Sequence, residues 1–202
     1  STGIKGKNLV NLNGLPLIHY TLKICKKFSK DHIVFVSTDS KKIKNYTKKF
    51  GYFNKYLRPK KLASSKSNVV DSIIHGVEWL KKERDIEIKD IILLQPTSPL
   101  RKLSDLMKAY KNYKNKKLKS LTSVTKVREN SLGHIKIKRN SQNWNFLYKS
   151  KKKILRRQDY PKDHYLLNGA FYFTDYETLK KRKTLVTENL THLYETERFS
   201  SV

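Results

Sequence analysis

The chain has 202 residues, with 45 Lys and Arg against 17 Asp and Glu for a formal net charge of +28, 37% hydrophobic content and a single cysteine. That length fits one globular domain with enough apolar content for a core, and 11% aromatic residues argue against disorder despite the charge. Cys25 alone excludes an internal disulfide framework or a Cys-based zinc cage and points to a reducing, cytoplasmic setting, while no apolar run approaches the ~20 residues of a membrane span.

In chain order, PLIHYTLKICKKF places residues 17, 18, 21, 22, 25 and 28, apolar but for Thr21, at the spacing of an amphipathic helix entered through Pro16. HIVFVS at 32–37 is short, continuous and β-branched, which predicts a buried strand, and Thr38, Asp39 and Ser40 supply caps for a helix over KKIKNYTKKF. The unit then repeats. Val69, Val70, Ile73, Ile74, Val77 and Leu80 share one helical face, IILLQ at 91–95 is a second apolar strand, and residues 103–113 give another helix before the β-rich SLTSVTKV at 120–127. Continuous apolar strands alternating with helices predict an α/β fold with a mostly parallel sheet.

From 129 to 165 the pattern changes: HIKIK and WNFLY alternate like half-exposed antiparallel strands between Lys-rich connections, and are read as an inserted β arm within a single domain. YLLNGAFYFT at 165–174 returns to a buried strand, Asp175 caps a short helix, and THLYETERFSSV begins a terminal strand. The only methionine is Met107 and the chain opens in loop-like residues, so a trimmed chain is expected.

Four segments carry candidate chemistry. GIKGKN at 3–8 lets backbone approach a ligand and offers Lys5 and Lys7 as point charges for phosphate, although a solvated turn would use the same residues. LLQPTSPLR breaks from a strand into a loop, placing Gln95, Thr97, Ser98 and Arg101 where ligands bind at the carboxyl ends of open α/β sheets; a rigid turn capping the next helix is the alternative. In RRQD, Arg156 and Arg157 form a clamp suited to a carboxylate or polyphosphate. Asn168 and Gly169 interrupt an apolar strand, as a bulge or as a backbone approach to ligand. The six His residues show no metal-ligand spacing. Nine of the basic residues are Arg and the rest scattered Lys, a composition of solvated faces that still favours anionic ligands over base-specific nucleic-acid readout.

GIKGKN, LPLIHYTL, VSTDS, RPKKLA, LLQPTSPLR, RRQDYP and NGAFYF together, in this order over almost the whole chain, resemble the acylneuraminate cytidylyltransferases, or CMP-sialic acid synthetases. The resemblance implies a Rossmann-like nucleotidyltransferase sandwich with the 129–165 arm serving dimerisation. It implies activation of a nine-carbon α-keto sugar acid (sialic, legionaminic or pseudaminic type) by CTP, giving the CMP-sugar and pyrophosphate with Mg²⁺, in a homodimer. Lys7 and Asn8 match the nucleotide loop, with Lys7 the catalytic candidate at phosphate; Arg58 matches an Arg beside cytosine and ribose, and Ser67 falls at the base-binding turn. Gln95, Arg157 and Asn168 match positions facing the sugar acid, and Phe171 or Phe173 would wall it.

Departures are also legible. The family's ARxGS strand is expected before Ser1 and its D-x-D metal ligands beyond Val202, so both ends read as incomplete, no metal ligand is assigned here, and the 202 residues alone are expected to be inactive. Thr97 and Ser98 stand where octulosonate enzymes carry a metal-binding Asp, which favours the nine-carbon branch. The competing expectation, a basic nucleic-acid-binding module, would use the Lys surplus and the tyrosines of KAYKNYKNKKLK.

Overall fold

A computed structural model describes residues 4, 6–28, 32–52, 55–64, 67–127, 134–137, 144–148 and 164–197. The chain opens with a short hairpin, β1 (Asn11–Leu12) and β2 (Leu15–Pro16), closed by Asn13 (φ 48°) and Gly14 (φ 84°). Two central residues at positive φ are the signature of the Asn-Gly turn that matches strand twist. Directly after Pro16 comes α1 (Leu17–Phe28), then the irregular run at 33–38, and α2 (Lys41–Thr47), whose first turn is capped by Ser40 Oγ accepting from the Ile43 amide at 3.3 Å. α3 (Val69–Arg84) starts at Asn68, whose side chain accepts from Val70 N, and stops at Asp85 in the left-handed region. There follow β3 (Asp90–Leu93), α4 (Leu103–Asn115), β4 (Ser120–Lys126), the hairpin strands β5 (Ile135–Ile137) and β6 (Trp144–Phe146), β7 (Tyr165–Asp175), α5 (Tyr176–Arg182) and β8 (Thr191–Glu195).

The main sheet has the order β3-β7-β4-β8. β7 is antiparallel to both β3 and β4, and β8 is parallel to β4, so β3, β4 and β8 share one direction and β7 alone runs against them. This is the expected α/β class, in mixed form. Alternation along β3 sends Ile92 and Leu94 to a core with α1 and α4, around Leu106, Ala109, Tyr113, Leu121, Ala170, Phe171 and Phe173, and sends Ile91 and Leu93 to a second core with Val70 of α3 and Leu179 of α5. Helices thus cover both faces, which is why the strands read as continuous apolar runs.

The strand predicted at 32–37 does not form: residues 33–38 have no regular secondary structure and join no sheet among the described residues, and Ile33 is 54% exposed, although Phe35 packs against Tyr56 and Trp79. An apolar β-branched sequence favours a strand, but a strand also requires a partner to complete its ladder. In the arm, β5 and β6 pair antiparallel as a separate two-stranded sheet, as expected, and the rest of 129–165 up to His164 lies outside the described residues apart from Leu147, Tyr148 and His134 beside the strands.

Candidate functional site

Because β7 runs opposite to its neighbours, its N-terminal half lies at the carboxyl ends of β3 and β4. Leu93 stands opposite Tyr172 and Val124 opposite Leu167. The NGA segment therefore comes to the same end of the sheet as the loop following β3. Between these pairings the β4–β7 register slips: Thr122 pairs with Tyr172 but Val124 with Leu167, so residues 168–171 bulge against Ser123 alone.

Side chains complete the hydrogen bonding that the ladder leaves open. Asn168 Oδ1 accepts from Ala170 N at 3.1 Å and from Ser123 Oγ at 2.6 Å, while its amide nitrogen donates to Thr196 Oγ1 at 2.7 Å. Ser123 Oγ also accepts from Phe171 N at 3.1 Å. On the other side, Ser98 Oγ donates to Gly169 O at 3.2 Å and Arg101 Nε donates to Ala170 O. Gly169 sits at φ +70°, a left-handed conformation for which Gly carries no steric cost, and a Cβ there would lie 3.6 Å from Gln95 Oε1. Gln95, Asn168 and Gly169 are thereby brought together. Ser123, Thr196 and Thr21, which complete this cluster, were not singled out from sequence; for Ser123 the signal available was hydroxyl residues recurring in SLTSVT, the buried part of β4.

Arg101 is corrected from an anion-binding candidate. It is 4% exposed, and its fork donates through Nη2 to Gln95 O at 2.7 Å and through Nη1 to Thr21 Oγ1 at 3.2 Å, so its capacity goes to the protein's own acceptors. Burial pulls its guanidinium down to about 10, leaving it charged at neutral pH. The same residue, acting through charge, partly offsets the burial that raises the Cys25 thiol. Phe173 is likewise corrected: it is fully buried against Tyr110, Tyr113 and Phe171, and as core packing it cannot wall a sugar. Phe171 is equally sealed.

The nucleotide candidates form local clusters. Lys7 and Asn8 lie half-buried in a tight turn, Lys7–Leu9, entered by Gly6 at φ 68° and packed on α1. Arg58 lies beside the end of the 33–38 run: its amide donates to Thr38 O at 2.8 Å, its Nη2 meets Asp39 Oδ1 at 3.3 Å, and its Nε is buried with no partner among the described residues. A buried donor left open in this way suits an incoming acceptor. Ser67 closes the RPKKLAS turn, donating to Lys61 O at 2.9 Å and bonding Ser64 Oγ at 2.7 Å, so its hydroxyl shapes the turn. Arg157, the proposed carboxylate clamp, lies outside the described residues. Among the described residues no group of three or more His, Cys, Asp or Glu gathers to hold a metal ion.

In an α/β sheet of this kind the loops gathered at the carboxyl ends of the strands are where a ligand is bound. A family model described as cytidylyltransferase matches residues 1–199, and the chain belongs to that family. Over 102 residues it is 35% identical to the CMP-N,N'-diacetyllegionaminic acid synthase of Legionella pneumophila, covering 50% of this chain and 44% of that one. It is 30% identical over 109 residues to the N-acylneuraminate cytidylyltransferase of Escherichia coli, covering 54% of this chain and 25% of that one. The matched stretches span less than half the length of these relatives. The fold is similar to that of CMP:2-keto-3-deoxy-manno-octonic acid synthetase complexed with CTP, at a TM-score of 0.64 and 16% identity over 98% of this chain and 86% of that chain. It is also similar to 4-diphosphocytidyl-2C-methyl-D-erythritol synthase from Anaerococcus prevotii, at a TM-score of 0.55 and 11% identity over 96% of this chain and 85% of that chain.

Proposed function

We propose that this chain is the cytidylyltransferase part of an enzyme that activates a nine-carbon α-keto sugar acid of the sialic, legionaminic or pseudaminic type with CTP. The observation that carries this reading is the joining of the QPTSPLR loop to the Asn168–Ala170 bulge, two motifs distant in sequence that meet at the carboxyl end of the sheet. Relatives named for legionaminic, acylneuraminic and pseudaminic acids support the substrate class. In this reaction the anomeric hydroxyl attacks the α-phosphorus of CTP and loses its proton, a P–O bond forms, and the bond to pyrophosphate breaks. Lys7 stabilises charge on the phosphates, Arg58 and the Ser67 turn hold the nucleoside, and Gln95 and Arg157 hold the sugar acid. The family resemblance implies Mg²⁺ as the metal of this reaction.

Assembly and setting belong to the same proposal. In the β5–β6 hairpin and the residues beside it, Ile135, Phe146, Leu147 and Tyr148 are 45–54% exposed, and Leu166 and Leu167 of β7 are 60% and 47% exposed. A two-stranded arm is marginal in water alone, so a second copy of this chain is its partner, in a cytoplasmic homodimer. Among the described residues no helix is long and apolar enough to cross a membrane. The nucleic-acid reading is not favoured, since Tyr113 is 2% exposed and Tyr110 packs on Phe173, leaving neither ring as a stacking platform.

Pyrophosphate release from CTP by the full-length enzyme with each acid in turn tests the activity. Thermal stabilisation by CTP but not by an oligonucleotide in about 150 mM salt separates the two readings. Absence of release with every acid, or stabilisation by the oligonucleotide alone, would overturn the proposal.

A further inference from the structure

We propose that Arg101 is the positioning residue that locks the Gln95 loop to the bulge in β7 and so sets the geometry of the sugar-acid half of the site. The inference rests on the substrate reading above. One planar fork reaches three elements: Ala170 O in β7, Gln95 O after β3, and Thr21 Oγ1 in α1. Arg101 makes no ion pair with a carboxylate among the described residues, although burying an unpaired cation is expensive. A packing role alone would be met better by an apolar side chain. What the guanidinium supplies is several donors at fixed spacing and angle, which hold two backbone carbonyls in register.

Those carbonyls are the ones that matter for ligand geometry. Gln95 presents its Oε1 beside Gly169, and the Gln95 main chain is pinned by Arg101 Nη2 at 2.7 Å. Ala170 O, which the slipped ladder leaves without a strand partner, is taken by Nε, and Ser98 Oγ adds a second stitch to Gly169 O at 3.2 Å. Release of the fork would let the loop and the bulge move apart, and a displacement of about 1 Å at a positioning contact can lower turnover roughly a hundredfold.

The test uses the full-length enzyme carrying Arg101→Lys, which keeps the charge but can satisfy only part of the fork, and Ser98→Ala, which removes the second stitch alone. Expected for Arg101→Lys is a KM for the sugar acid raised about tenfold or more, a KM for CTP within about twofold, and faster amide exchange in peptides covering 93–98 and 168–171. Ser98→Ala should move the sugar-acid KM in the same direction by about threefold. Equal shifts in both KM values, or a folded Arg101→Lys with neither KM nor exchange altered, would overturn the proposal. If Arg101→Lys does not fold, Ser98→Ala decides, and an unchanged sugar-acid KM overturns it. If the wild type turns over no acid, the substrate reading fails while exchange still judges Arg101: faster exchange at both segments supports the lock and unchanged exchange refutes it.

Discussion

Asn168→Ala separates the bulge from the ligand as the reason for this residue. The substitution removes the acceptor shared by Ala170 N and Ser123 Oγ and the donor to Thr196 Oγ1. Ser123 can turn its hydroxyl to Phe171 O, 3.3 Å away, and Thr196 keeps Val124 O at 3.3 Å, so neither hydroxyl loses its donor role. Ala170 is fully buried, and its amide is left with nothing to replace Oδ1. One stranded buried amide at about 1–3 kcal/mol, added to about 1 kcal/mol for the lost bond to Thr196, gives roughly 2–4 kcal/mol. For a domain of this size each kcal/mol is worth about 2–4 °C, so the midpoint should fall by roughly 4–16 °C in a thermal unfolding scan. Asn168→Asp keeps the acceptor for Ala170 N, and Thr196 can reverse its hydroxyl toward the carboxylate, so the loss there should stay under about 1 kcal/mol at neutral pH. A midpoint for Asn168→Ala within about 1 °C of wild type, with only the sugar-acid KM changed, would refute the reasoning and return Asn168 to the ligand.

Arg157→Lys should raise the KM for the sugar acid far more than that for CTP, because the lost fork is the part that grips a carboxylate; equal shifts in steady-state kinetics would reassign it to phosphate. Lys7→Ala should lower kcat by about two to three orders of magnitude, the size expected when one preorganised charge-stabilising donor is lost, as measured by pyrophosphate release. Gly76→Ala would place a Cβ 2.8 Å from Phe35 Cε1, and overpacking of this kind should destabilise the domain by about 1–3 kcal/mol in denaturant unfolding; an unchanged midpoint would show that the 33–38 run does not pack on α3 as described. Phe146→Lys, in the exposed face of the arm, should turn a dimer into a monomer by light scattering at tens of micromolar, and a wild type that is already monomeric would remove the arm's proposed role.

The elements themselves were legible in sequence because their signals are local. The apolar period at 17–28, Ser40 and Asp175 as caps, and the alternation in the arm act within a few residues, and the helices and the hairpin appear where those signals place them. The Asn13-Gly14 turn, with both residues at positive φ, carries an equally local signal. For the site, the sequence marks Gln95, Asn168 and Gly169 as candidates but not how they meet. Only the tertiary structure decided that β7 reverses between β3 and β4, that the register slips at Ser123, that Phe173 belongs to the core and that Arg101 turns inward. Each of these depends on partners far along the chain, such as Arg101 with Ala170 at 69 residues and with Thr21 at 80. An arginine after a Pro-rich turn has the same local sequence whether it faces a ligand or two carbonyls. The outcome is set by which groups the fold leaves without hydrogen-bond partners nearby, and that is fixed only once the strands have paired.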